Sequence, residues 1–168
     1  ESFGKRIAAY PTKMGQNVQM MTAKIQKMNA EIIKARNMSV NAGVALDKEG
    51  NIYVADRDNQ RVQIFNEDGQ FLSKFGEYGF EEGRLNFPNG IAVQNDGNII
   101  VAEKSQNRLQ VFNREGYLQQ VIGEMGKRDG QFNCPSSLAL DPYGYLFVVD
   151  TINQRIQKFD PDLNFVAK

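Results

Sequence analysis

The strongest constraint on this 168-residue chain is a 47-residue step that carries three copies of one pattern. Gly50, Gly97 and Gly144 fall in register, as do Arg61, Arg108 and Arg155, and Phe65, Phe112 and Phe159. On that step Ile52-Tyr53-Val54-Ala55-Asp56 overlies Ile99-Ile100-Val101-Ala102-Glu103 and Leu146-Phe147-Val148-Val149-Asp150. Each string leads through a polar stretch into Arg-x-Gln-x-Phe. A repeat of roughly 20 to 50 residues cannot bury its own apolar face, so the copies must stack as a solenoid, a propeller or an array.

The middle copy shows what is stacked. Gly90–Val93 is a short apolar strand, Gln94–Gly97 a turn, Asn98–Ala102 a second strand and Glu103–Asn107 a loop. Arg108–Phe112 is a third strand, Asn113–Gly116 a turn and Tyr117–Ile122 a fourth. Asn or Asp followed by Gly is the chemistry of a tight antiparallel connection, because Gly accepts positive φ without steric cost. Four short antiparallel strands per copy describe a propeller blade. A β-helix usually has shorter repeats, and a helical array would show a period of 3.6 within each unit. The expected fold is all-β with an N-terminal helix: a partial β-propeller of three four-stranded antiparallel blades, at about 41–76, 77–123 and 124–168.

Residues 1–40 follow another rule. Met14, Val18, Met21, Ile25, Met28, Ile32 and Ala35 alternate spacings of four and three, an a/d heptad stripe. Thr12 is placed to cap a basic amphipathic helix, and Asn41 and Gly43 to stop it. A stripe this narrow suits pairing with another helix, as in a coiled coil, and assigns the segment to assembly. Charge divides at the same boundary. Residues 1–40 hold seven Lys/Arg and two Asp/Glu, a net of +5, whereas 41–168 hold thirteen and eighteen, a net of −5. Docking of the helix on the acidic repeats would account for this asymmetry.

Composition removes several functions. The chain has no histidine, which excludes His-ligated metals, His general bases and His-ligated haem. One cysteine, Cys134, allows no internal disulfide and leans toward a reducing, cytoplasmic setting. No apolar run approaches the roughly 20 residues of a membrane span. The start at Glu1 leads us to expect a processed chain or a fragment.

Three strings carry a family resemblance: Pro88-Asn89-Gly90-Ile91-Ala92-Val93, Gly50-Asn51-Ile52-Tyr53-Val54-Ala55-Asp56, and Asn59-Gln60-Arg61-Val62-Gln63-Ile64-Phe65. They resemble NHL repeats. The resemblance implies a β-propeller used mostly as a binding platform, as in TRIM-NHL proteins that bind RNA or protein and in bacterial NHL sensor domains. A smaller related group, the amidating lyase among them, are enzymes. A closed ring needs about four or more blades, so three expectations follow: further blades in a longer chain, a homodimer that completes the ring, or a larger complex whose subunits cover the open faces.

Asp56/Arg61, Glu103/Arg108 and Asp150/Arg155 recur five residues apart, where one strand ends and the next begins. Their repetition in every copy predicts ion pairs that hold the loop, with an Arg fork on a carboxylate, and no catalytic role. Asp47, Glu49, Asp58, Asp96 and Asp141 lie in or beside turns and match no calcium-loop spacing. Cys134, in the slot that Phe87 fills one copy earlier, is expected as a small buried residue. No cofactor, metal or catalytic residue is assigned. Ligand contact is expected from the non-repeating residues of one face: Arg57, Tyr78, Phe80, Arg84, Asn89, Lys104, Lys127, Arg128, Ser136, Ser137 and Thr151. The expected function is a non-catalytic scaffold that binds a protein partner through these loops. RNA binding is the alternative, since basic residues beside aromatics suit phosphates and bases. A structural subunit of a larger complex is a further alternative, and a propeller lyase or lactonase is the remaining one.

Overall fold

Alternating side chains send residues i and i+2 of a strand to one face and i+1 to the other, so each copy presents two apolar faces rather than one. The computed structural model describes residues 43–168, and the heptad helix expected within 1–40 lies outside them. The first sheet runs β1 (Val44–Leu46), β2 (Ile52–Asp56), β3 (Arg61–Phe65) and β4 (Phe71–Phe75). The second runs β5 (Pro88–Val93), β6 (Ile99–Glu103), β7 (Arg108–Phe112) and β8 (Leu118–Ile122). The third runs β9 (Pro135–Leu140), β10 (Leu146–Asp150), β11 (Arg155–Phe159) and β12 (Phe165–Ala167). Within each sheet the strands are antiparallel and in chain order. The result is three four-stranded sheets in a partial propeller-like arrangement.

The two faces do different work. Tyr53, Ala55, Val62 and Ile64 of the first sheet pack with Ile91, Ile99, Val101 and Phe112 of the second. Ala92, Ile100, Ala102, Leu109 and Val111 on the opposite face of the second sheet pack with Leu146, Val148 and Phe159 of the third. Each face thus meets the other kind of face on its neighbour. The innermost strands lie close. A Cβ on Gly43 would collide with the carbonyl oxygen of Asn89, and one on Gly90 would sit 3.1 Å from Cα of Ser137. Ser137, the third copy of this position, carries a side chain and is exposed.

The third sheet's remaining face has no following sheet among the described residues. On the 47-residue step Ile156 is the third copy of Val62 and Leu109, and its apolar character predicts a core position. It is instead 56% exposed, while Val62 and Leu109 are fully buried. Val149 is likewise 37% exposed where Ala55 and Ala102 are buried. Lys158 replaces Ile64 and Val111, and its Nζ lies 4.0 Å from the centre of the Tyr145 ring and 5.4 Å from that of Phe147. An ammonium over two aromatic rings keeps this open face from being purely apolar. Equivalent positions should therefore respond unequally to truncation. Leu109→Ala should cost about 2–5 kcal/mol and Ile156→Ala within about 0.5 kcal/mol, measured by urea unfolding.

One turn brings a pH-sensitive pair. Asp47 accepts hydrogen bonds from the Asn51 backbone N–H (2.8 Å), Asn51 Nδ2 (2.8 Å) and the Tyr53 hydroxyl (3.1 Å). Burial alone would raise the Asp47 carboxyl pKa. The donors on Asn51, Tyr53 and the Glu49 backbone together outweigh it and hold the group below its ordinary value. Burial, then the Asp47 charge and hydrogen bond, push Tyr53 up to about 12. A phenol whose folded pKa exceeds its unfolded value of roughly 10 contributes stability that is complete below pH ~10 and fades as pH rises to about 12. Denaturation midpoints should fall across that window, and Tyr53→Phe should remove this part of the loss.

Candidate functional site

Asp56, Glu103 and Asp150 end β2, β6 and β10, and all three are buried. A carboxylate in such a place must be paired and hydrogen-bonded. Glu103 accepts from Arg108 Nε (2.6 Å), Gln110 Nε2 (2.7 Å) and the Asn86 backbone N–H (2.8 Å). Asp150 accepts from Arg155 Nε (2.8 Å), Gln157 Nε2 (3.2 Å), Asn153 Nδ2 (2.9 Å) and the Asn133 backbone N–H (2.7 Å). Asp56 accepts from Arg61 Nε (2.8 Å), Gln63 Nε2 (2.9 Å) and Asn59 Nδ2 (2.9 Å). The expected ion pairs are therefore present, as direct cross-strand partners. With every carboxylate supplied by several donors, these groups are anchors, not bases.

The anchors hold the connecting segments. Gln110 Oε1 accepts from the Gly83 N–H (2.7 Å) while its Nε2 donates to the Arg84 carbonyl (2.6 Å). Gln157 repeats both contacts with Gly130 (2.9 Å) and Gln131 (2.7 Å). Arg155 also donates to the carbonyls of Lys127, Arg128 and Gln131. Leu85 and Phe132, fully buried, plug the connections between neighbouring sheets. A further tie links each loop to the next sheet. Gln60 Oε1 accepts from the Phe87 N–H (2.6 Å), and Asn107 Oδ1 from the Cys134 N–H (2.8 Å). Cys134 itself is half-buried rather than buried, and it shares with Phe87 a left-handed backbone, φ 57° and 52°. The slot is chosen for its turn and its N–H, not for packing.

On this framework the predicted ligand-binding residues separate into three places. Arg57, Asn89, Lys104, Ser136 and Ser137 line one basin of about 470 Å³ between the innermost strands, with Gly43, Val44, Gly90, Ile91 and Leu138. Thr151 joins it through Ser136, their hydroxyls 2.6 Å apart. Asn89 Nδ2 donates to the Ser136 carbonyl (2.6 Å), which ties the second and third sheets at the basin floor. Arg57 Nε donates to Asp58 (3.2 Å). Tyr78, Phe80 and Arg84 form a second group on the 76–87 connection. The two rings are exposed and meet edge to face at 5.6 Å, and Arg84 pairs with Glu77 (3.0 Å) and Glu81 (3.8 Å). Lys127 and Arg128 belong to the 123–134 connection, where Arg128 lines a separate depression of about 500 Å³ with Glu124 and Asp129. Sequence reasoning missed Gln60, Gln63, Gln110 and Gln157, Leu85 and Phe132, although the glutamines of Arg-x-Gln-x-Phe repeat in register.

Stacked four-stranded sheets, the second and third each locked by a buried carboxylate to the segment that leads into it, define a propeller-type repeat scaffold. The NHL repeat model matches residues 42–65 and 85–112. Residues of this chain are 44% identical over 48 residues to "Protein brain tumor" of Drosophila melanogaster, covering 29% of this chain and 5% of that protein. They are 56% identical over 32 residues to "Protein lin-41" of Caenorhabditis elegans, covering 19% and 3%. Two stretches of the chain, residues 42–65 and 85–112, are thus NHL repeats. The matched stretches span a small fraction of those relatives' own length. Among solved structures, a catalytically inactive virginiamycin B lyase from Staphylococcus aureus with quinupristin superposes with a TM-score of 0.59 at 15% identity, over 78% of this chain and 42% of that one. The nidogen/laminin complex gives 0.57 at 19% identity, over 76% and 47%. At such identities these likenesses show the shared fold.

Removing Arg108 would leave the Glu103 charge buried without its ion-pair partner. Arg108→Ala should destabilise the protein by about 3–5 kcal/mol, read by chemical denaturation.

Proposed function

We propose that this chain is a non-catalytic, NHL-type propeller segment that binds a protein partner through the loops of one face. The exposed Tyr78–Phe80 pair carries the reading. Two aromatics held edge to face in solvent are costly to leave uncovered and are well suited to anchor an interface. Their loop is fixed from below by Leu85 and Gln110, so little conformational entropy is lost on docking. The presence of NHL repeats is consistent with an interaction role at this coarse level. The open face of the third sheet, with Val149, Ile156 and Lys158, offers a second contact surface within a dimer or larger complex.

The local charge favours protein over RNA. Base stacking on Tyr78 and Phe80 would bring phosphates toward Glu77, Glu81 and Glu82, and Arg84 is already engaged by two of these acids. Counter-charge on a nucleic-acid surface must exceed such repulsion. An enzymatic role gains no support from Asp56, Glu103 or Asp150, whose lone pairs are committed to structural donors. No helix among the described residues is long and apolar enough to cross a membrane.

A photo-crosslinking phenylalanine analogue placed at Phe80 should yield RNase-resistant protein adducts in cells. Tyr78→Ala in the same background should reduce them severalfold while moving stability by no more than about 0.5 kcal/mol. Adducts that are RNA, and that disappear with RNase, would replace this reading with the nucleic-acid one.

A further inference from the structure

The basin between the innermost strands gathers side chains rich in hydrogen-bond donors. Arg57 and Lys104 occupy equivalent positions on the 47-residue step, each directly after the buried carboxylate that ends its strand. Arg and Lys side chains can only donate. Among the described residues Lys104 Nζ has no ion pair or hydrogen bond, and neighbouring Glu103 is turned inward onto Arg108, Gln110 and Asn86. The backbone N–H of Lys104 bonds to the Phe87 carbonyl (3.3 Å), which fixes its Cα at the rim. Ser136 and Thr151 hold two hydroxyl protons between them, and their mutual bond at 2.6 Å uses one. The pair therefore still offers a donor. Ser137 adds a third hydroxyl at the mouth and is exposed.

This set calls for an acceptor with negative charge, and its scale limits that charge. The third copy of the Arg57/Lys104 position is Thr151, so the cations do not continue around the arc. Asp58 already shares Arg57. Residues 41–168 are net −5, from thirteen Lys/Arg against eighteen Asp/Glu. A polyanion reaching beyond the basin would meet the net negative charge of the repeats, whereas one carboxylate would meet only the local donors. Deepening the protein-partner reading and resting on it, we propose that the Arg57–Lys104–Ser137 basin receives a single carboxylate of a partner protein, an Asp or Glu side chain that fixes the register of docking. Lys104 supplies the charge, and Ser137 with the Ser136–Thr151 pair supplies neutral donors to the second oxygen.

The full chain, labelled with nitrogen-15, should be titrated with the blocked peptide acetyl-Ala-Ala-Glu-Ala-Ala-amide, with its glutamine twin, and with an eight-uridine RNA. Saturable shifts are expected for the amides of residues 89–90, 104 and 136–137 with the Glu peptide, and at least tenfold weaker binding of the Gln peptide. Lys104→Ala should weaken the Glu peptide at least fivefold and Lys104→Arg by less, with both variants showing the wild-type spectrum elsewhere. Equal binding of the two peptides, no peptide binding at all, or indifference to Lys104→Ala would each overturn the proposal. So would RNA that occupies the same amides more tightly than the Glu peptide. Failure here with Phe80 adducts intact would remove the basin's role alone, whereas failure of both would remove the scaffold reading with it.

Discussion

The buried carboxylate at the end of each second strand is the interaction on which the rest depends. Glu103 and Asp150 bind at once an Arg and a Gln of the next strand and a backbone N–H of the segment that leads into the sheet. One charged group thereby joins strand, neighbouring strand and connection. A buried ion pair contributes little net stability compared with a well-packed apolar substitute, because desolvation offsets most of the Coulomb gain. Its value here is directional. It specifies where an otherwise irregular 12-residue connection must lie, and that places Leu85 and Phe132 in the cores between the sheets.

The arrangement also separates the residues that hold the stack from those left at the loop mouths. Residues in register point into the cores or toward the anchors, as with Ile99, Val101, Phe112 and Gln110. Residues that break register sit at the loop mouths, where Lys104 faces a basin and Tyr78 and Phe80 face solvent. Positions on the surface of a repeat stack can change without loss of the neighbour contacts that hold it. The negative charge of the repeats then acts as a background against which two cations and three hydroxyls stand out.

Much of this was legible in the sequence, for physical reasons that can be named. The period of 47 gave the three sheets, and the apolar runs between turn residues placed strands at Gly90–Val93, Asn98–Ala102, Arg108–Phe112 and Tyr117–Ile122, with ends within two residues of those observed. Burial at a stack's end was not legible. Ile156 reads as core by pattern, yet its exposure depends on whether a sheet follows. Leu163 was likewise hidden. It takes the left-handed turn slot that Gly69 and Gly116 fill in earlier copies, at φ 65°, and is held there by burial in the second core. For the site, the partition of the expected residues among separate places was not foreseeable. Arg84 looks like a free cation in sequence and becomes committed once Glu77 and Glu81 fold beside it.

Native-state hydrogen exchange at the amides of Gly83, Asn86, Gly130 and Asn133 tests the anchoring claim most directly. These N–H groups donate to Gln110, Glu103, Gln157 and Asp150. If the carboxylate network locks the connections, they should exchange as slowly as the core amides of Ile100 and Val111, through global unfolding. Exchange as fast as that of the exposed turn amide of Asp68 would show the connections opening independently of the sheets, and would contradict the account.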